Sequence, residues 1–170
     1  MIVPLAPGPA VIVDVVAWCV LGVGIGFAGQ RLRPESFERS AALRWLARPR
    51  RFERDGRFYE RVLRIRRWKR WLPDAGATFE GGVAKRSLAR LDVESLDRLR
   101  IETLRAEAVH VALLVVAPAF VLWNPPGLAV VMLVYAAVAN VPCLVAQRYN
   151  RLRVCRILSR RRTARRGGRL

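Results

Sequence analysis

Hydrophobic and polar positions along this chain are segregated into long blocks rather than interleaved throughout. Residues 10–29 form an apolar run whose only charge is Asp14. At about 1.5 Å rise per residue, such a run spans the roughly 30 Å hydrocarbon core of a bilayer as one helix. It has no basic stretch ahead of it of the kind a cleaved leader carries, so a retained transmembrane helix is expected. Within it, Gly22 and Gly26 stand four apart, the spacing that lets two helices approach closely. Asp14 is placed near one end, within reach of the headgroups. A second apolar block covers 108–123 and a third covers 127–146, separated by WNPPG at 123–127. The paired prolines break the helix, and Asn124 and Gly127 favour a turn, so the two blocks form a helical hairpin with Trp123 as an interfacial anchor. The second block is short for a span by itself. It gains length from a preceding helix, which starts on capping chemistry at Asp92 in DVESLDRLRIETLRAEAVH and enters the bilayer near Ala106.

Between the first and second blocks the pattern changes. In 36–47, SFERSAALRWLA, the apolar residues Phe37, Ala41 and Trp45 recur at four-residue spacing, which predicts a helix ended by Pro49. In 57–72, Phe58, Tyr59, Val62, Leu63, Ile65, Trp68 and Leu72 keep a 3.6-residue rhythm, with arginine or lysine at most other positions. This predicts one strongly basic amphipathic helix, either at a membrane interface over anionic headgroups, or packed on its neighbours with a solvated basic face, or offering a phosphate-binding surface. The glycine-bearing loop that follows, PDAGATFEGG, lacks the spacing of a nucleotide-cradling loop.

Charge turns these blocks into a topology. The chain has 170 residues, 31 Lys+Arg, 13 Asp+Glu and a net charge of +18. Such a balance in a soluble protein points to nucleic acid, but no basic residue occurs before Arg31 or between Ala106 and Gln147. Apolar blocks free of cations and bounded by basic flanks exclude a nucleic-acid binder and predict an all-α integral membrane protein. It has three transmembrane helices, one N-terminal and two in a C-terminal hairpin, with a re-entrant hairpin of the same sidedness as the alternative. By the positive-inside rule, the N-terminus and the WNPPG turn face outward, and the segments 31–105 and 148–170 are cytoplasmic. Cys19, Cys143 and Cys155 have no metal or disulfide spacing.

The chemistry-bearing residues are few. His110, the single histidine, follows Glu107 by three residues at the start of the second block. On a helix the two share one face at the cytoplasmic boundary of the membrane. They read either as interfacial anchors or as a general base with a carboxylate that sets its tautomer. One ExxH and no second histidine argue against a metal site. The third block ends in ANVPCLVAQRYNRLR, where Asn140 and Pro142 are polar and helix-breaking features of the kind that line a site. An antiparallel hairpin returns this end to the membrane face where Glu107 and His110 lie.

The segments IRRWKRWLPDAGATFEGGVAKRSL, ETLRAEAVHVALL, NPP and ANVPCLVAQRYNRLR, in this order, resemble the glycosyl-4,4'-diaponeurosporenoate acyltransferase family. The similarity runs from about Trp68 to Arg153. It implies a bacterial cell-membrane enzyme that transfers a fatty acyl group to a sugar hydroxyl of a carotenoid or terpenoid glycoside or related glycolipid. The rival reading is a non-enzymatic membrane adaptor that binds anionic lipid. On the enzymatic reading, no cofactor or metal is needed and acyl-CoA is the simplest donor. His110 takes the acceptor proton, Glu107 orients it, and Asn140 or Gln147 stabilises the oxyanion. Arg105, Arg148, Arg151 and Lys69 hold the donor phosphates. Trp68, Lys85, Tyr149 and Asn150 complete the substrate-binding set.

Overall fold

The computed structural model describes residues 5–72 and 91–167. Among them there are helices and turns and no strand. The helices are α1 (Pro7–Gln30), α2 (Ser36–Arg39), α3 (Ala41–Ala47), α4 (Arg57–Arg61), α5 (Ile65–Trp68), α6 (Val93–Val116) and α7 (Pro126–Gly167). Three of these stretches, Pro7–Gln30, Val93–Leu122 and Pro126–Ala164, are long and apolar enough to cross a membrane. The chain divides into two compact units, Met1–Arg33 with Arg105–Leu144, and Pro34–Leu104 with Val145–Leu170.

The first unit contains α1 and the turn-linked ends of α6 and α7. Its outward side chains are hydrocarbon: Ile12 and Val20 on α1, and Val115, Val130 and Val138 on the hairpin, are all more than half exposed. In water such a surface would be a severe liability, whereas in lipid it is the expected solvent-facing side. Close approach of α1 occurs at Gly29, where a Cβ would collide with the Val109 side chain. Among the described residues nothing is near enough to Gly22 or Gly26 for a Cβ to touch, so the expected glycine packing face is not used by them. The helix from Val93 runs unbroken to Val116, tightens to a 3-10 turn over Ala117–Leu122 around Pro118, and reverses at Asn124-Pro125. Pro126 then occupies the first position of α7, where a missing N–H does no harm.

Three sequence expectations are corrected in the polar regions. Residues 36–47 form two helices, because Ser40 is extended and caps α3 by accepting from the Leu43 N–H at 3.4 Å. Residues 57–72 do not form one amphipathic helix. The chain turns at Arg64 (φ 46°), which separates α4 from α5. On a continuous helix, Tyr59 and Ile65 would point about 120° apart at about 100° per residue. The break lets both enter one cluster with Ala146, Tyr149 and Leu152 of α7. The third block does not end near 146. α7 passes through Pro142 and continues into the basic tail, with Leu96 and Leu99 of α6 packed on its Val154 and Leu158. Pro142 removes one backbone bond, to the Val138 carbonyl, and a helix of 42 residues absorbs that loss. Asp92 does cap α6, accepting from the Ser95 N–H at 2.7 Å.

Candidate functional site

In the first unit the hairpin brings His110 of α6 to Asn140 of α7. His110 Nδ1 lies 3.0 Å from Asn140 Oδ1. The amide orientation is fixed independently, since Asn140 Nδ2 donates to the Ala136 carbonyl at 2.9 Å. A carboxamide oxygen only accepts, so Nδ1 must carry the proton and Nε2 is left with its lone pair. This is the tautomer a general base requires. The Asn140 oxygen holds the imidazole, and one N–H of its amide is anchored on its own helix. Glu107 is completely buried one turn before His110. Arg105 donates from Nε to the Leu32 carbonyl at 2.8 Å, tying the start of this segment to the end of α1.

At the other end of α1, Asp14 is turned into the protein rather than out into open solvent. It is 1% exposed and accepts from Trp123 Nε1 and Asn124 Nδ2, each at 2.8 Å. Trp123 is therefore engaged with Asp14 rather than serving only as an interfacial anchor.

In the second unit, α7 carries QRYNR past the short helices, and its side chains separate into two groups. Arg148 and Arg151 turn to the 34–56 segment. Arg148 donates to the Leu46 and Arg48 carbonyls at 2.8 Å each, and Arg151 donates to the Ala47 carbonyl at 2.9 Å. Two guanidinium groups thus cover the C-terminal carbonyls of α3, where a cation complements the helix dipole. Arg148 also forms a buried ion pair with Glu53, whose side chain is 1% exposed. Glu53 accepts further from Tyr59 OH at 2.7 Å and from the Arg50 N–H at 2.5 Å. Burial opposes its charge, but the hydrogen bonds from Arg148, Arg50 and Tyr59 outweigh burial and hold the carboxyl below the usual range. The Tyr59 phenol is pushed up by burial and by donating to Glu53. Nothing in the sequence pattern singled out Glu53; its only signal is that it is an acid set among arginines. The donor-binding role expected of Arg148 and Arg151 must therefore compete with protein acceptors that they already serve.

The second group surrounds Tyr149. Its hydroxyl donates to Glu60 at 2.7 Å, and Lys69 Nζ lies 5.0 Å from the ring centre while donating to Asn150 at 2.9 Å. Hydrogen bonding from Tyr149 is the largest influence on Glu60 and, with Arg66, holds its carboxyl below the usual range despite partial burial. Gly56, in left-handed backbone at φ 89°, sits against the Tyr149 ring, where a Cβ would be in contact at 3.4 Å. Trp68 packs beside this cluster and donates to the Leu63 carbonyl at 2.9 Å. Lys69, Tyr149, Asn150 and Trp68 are thus brought together, and Gln147 is half-buried on the same helix. Lys85 and the glycine loop lie outside the described residues. Among the described residues, no three side chains form a metal-binding group.

Three apolar spans, a half-buried imidazole–amide contact and a compact arginine-rich unit define a helical membrane protein with a polar centre. The chain belongs to the glycosyl-4,4'-diaponeurosporenoate acyltransferase family, whose model matches residues 42–160, a longer stretch than the sequence motifs alone marked. It is similar to proteins named glycosyl-4,4'-diaponeurosporenoate acyltransferase from Staphylococcus aureus. The identity is 29% over 142 residues in strain USA300 and 28% over 142 residues in strain Newman, covering 83% of each chain. No solved structure matches.

Proposed function

We propose that this protein transfers a fatty acyl group from a thioester donor, most simply acyl-CoA, to a hydroxyl of a lipid-borne glycoside, with His110 as general base. The observation that carries this reading is the His110–Asn140 contact, which in a neutral imidazole favours the proton on Nδ1 and the lone pair on Nε2. Nε2 takes the proton of the acceptor hydroxyl as its oxygen attacks the acyl carbonyl. The tetrahedral intermediate collapses with loss of thiolate, which takes the proton back from the imidazolium. The products are the ester and the free thiol. Glu107, buried one turn before His110, balances the transient imidazolium charge. The donor's phosphates are drawn by basic side chains, with Lys69 and Arg105 among the candidates. The acceptors that the Staphylococcus relatives' names specify are glycosylated carotenoids, and a glycoside of that class is the first substrate to try.

The test is acyl transfer by the detergent-purified protein from radiolabelled acyl-CoA to a carotenoid glucoside. His110→Ala is expected to lower the rate by about 10²–10⁴-fold with helicity and membrane insertion unchanged. Activity near wild type in that variant would overturn the assignment of the base. We propose further that the N-terminus lies outside the cell membrane and the basic segments in the cytoplasm. Thiol labelling from either side of cysteines placed at Leu5 and Ser159 reads that orientation directly, and the reverse pattern would reject it.

A further inference from the structure

Asp14 belongs to no step of that reaction, yet it is the most unusual polar group of the first unit. It lies in an apolar span and is 1% exposed. The sequence places no lysine or arginine before residue 31 or from 106 to 147. Its Oδ1 accepts from both Trp123 and Asn124, while its Oδ2 has no partner. Asn124, 2% exposed, donates to Asp14 and to the Phe120 carbonyl, but its own Oδ1 also has no partner. One turn along α1 from Asp14, the buried indole N–H of Trp18 donates to nothing. Buried polar groups are nearly always paired, and each orphan costs about 1–3 kcal/mol. Three together, on adjoining turns of one apolar unit, mark a place built to receive a polar guest.

The inventory specifies that guest. Two orphan acceptors require two donors, and one orphan donor requires an acceptor. An ester, ketone or ether has no donor, and an ammonium ion cannot accept from the indole. A vicinal diol brings two O–H donors and oxygens that accept. The walls suit the carbon side of such a group: Trp18 stacks on Phe120 with ring centres 4.7 Å apart, and Phe120 meets Trp123 at 5.0 Å. Flat aromatic faces beside a carboxyl and a carboxamide offer a sugar or glycerol both packing and hydrogen bonds.

We propose that Asp14, Asn124 and Trp18 form a binding site for the vicinal diol of a lipid headgroup. The site is distinct from the acyl-transfer centre. Asn140, which holds His110, lies fourteen residues along α7 from Pro126 at the turn. That is about 21 Å at about 1.5 Å per residue. The inference therefore stands whether or not His110 is the base. The diol has two chemical sources, a glycosyl ring and a glycerol terminus, and binding can tell them apart.

Full-length protein in phosphatidylcholine nanodiscs is titrated with dodecyl glucoside, 1-O-dodecylglycerol or dodecyl tetraethylene glycol ether, with tryptophan emission as the readout. The expected result is saturable binding of the glucoside, of the alkylglycerol or of both, and at least tenfold weaker response to the ether. Response to the glucoside alone identifies a sugar ring; response to both identifies any diol. Asp14→Asn, which replaces an acceptor by a donor, is expected to weaken diol binding at least tenfold. Trp18→Phe retains the ring packing and removes only the N–H, so it tests the site even if the Asp14 variant fails to fold; at least threefold weakening is expected. Equal responses to diols and ether, or diol affinity unchanged in both variants, would show that the orphans are met by a structural water and overturn the proposal.

Discussion

Replacing Glu53 by alanine should unfold the second unit far more readily than any exposed charge change could. In the native unit the carboxyl, 1% exposed, accepts from Arg148, from Tyr59 OH at 2.7 Å and from the Arg50 N–H at 2.5 Å. Alanine removes the acceptor of a phenol and a backbone N–H and takes the Glu53 carboxylate away from an Arg148 side chain that is 12% exposed. Breaking a buried pair by removing one partner costs about 3–5 kcal/mol. Arg148 keeps the Leu46 and Arg48 carbonyls, at 2.8 Å each, so the low end of about 3 kcal/mol is expected. Glu53→Gln keeps an acceptor for Tyr59 and should lose about half as much. Because the cost is mainly that of a stranded cation, adding Arg148→Met to Glu53→Ala should recover at least about 1 kcal/mol relative to the sum of the single changes. The assay is unfolding in mixed micelles with increasing denaturing detergent, followed by circular dichroism, on the two single variants and the double variant. A buried pair is little screened, so the loss should persist at high salt. A Glu53→Ala variant within about 0.5 kcal/mol of wild type, or a double variant no better than additive, would refute the stranded-charge argument.

Three further outcomes follow from the same geometry. Asn140→Leu should lower acyl transfer about 10–100-fold and alter the pH profile of kcat, because the imidazole loses the partner that fixes its tautomer; a merely structural asparagine would leave the profile unchanged. Gly29→Leu should destabilise the first unit by about 1–3 kcal/mol in the same unfolding assay, and Val109→Ala should restore part of the loss by removing the obstructing methyl groups. Acid should weaken the second unit in a defined direction. The folded Glu53 carboxyl titrates below its ordinary value of 4.5, so its stabilisation is complete above about pH 4.5. As pH falls past that value the unfolded chain binds the proton first, and the contribution is lost down through the folded pKa. Glu53→Gln should flatten this part of the stability profile, and an unchanged slope would count against the ion pair as its cause.

Much of the architecture was legible because hydrocarbon and charge are separated along the chain. A run of twenty apolar residues has one low-energy solution in lipid, a helix, since no other single-strand structure satisfies its own backbone there. The length of each block, the Asn-Pro-Pro turn and the Asp92 cap are local properties, and they set α1, the hairpin and the start of α6. The family motifs likewise marked His110 and Asn140 as residues of interest. Local pattern did not show that their side chains meet, nor which atom of the imidazole would be free, because both depend on the register between two helices.

The polar segments were misread for the same reason. A 3.6-residue rhythm over 57–72 is compatible with one helix, but Tyr59 and Ile65 gain more by burying together against Tyr149 than the backbone loses at Arg64. Arg148 and Arg151 read as phosphate ligands in isolation. Only the fold reveals that the carbonyls closing α3 and the carboxyl of Glu53 claim them first. Asp14 likewise reads as an open acid at the membrane surface until the hairpin turn brings Trp123 and Asn124 onto its oxygen. Sequence determined which stretches are helical in lipid, since that follows from composition over a single segment. Tertiary structure decided which charges are spent on the fold and which polar atoms are left unpaired, since a side chain's partner is set by residues as many as 110 positions away.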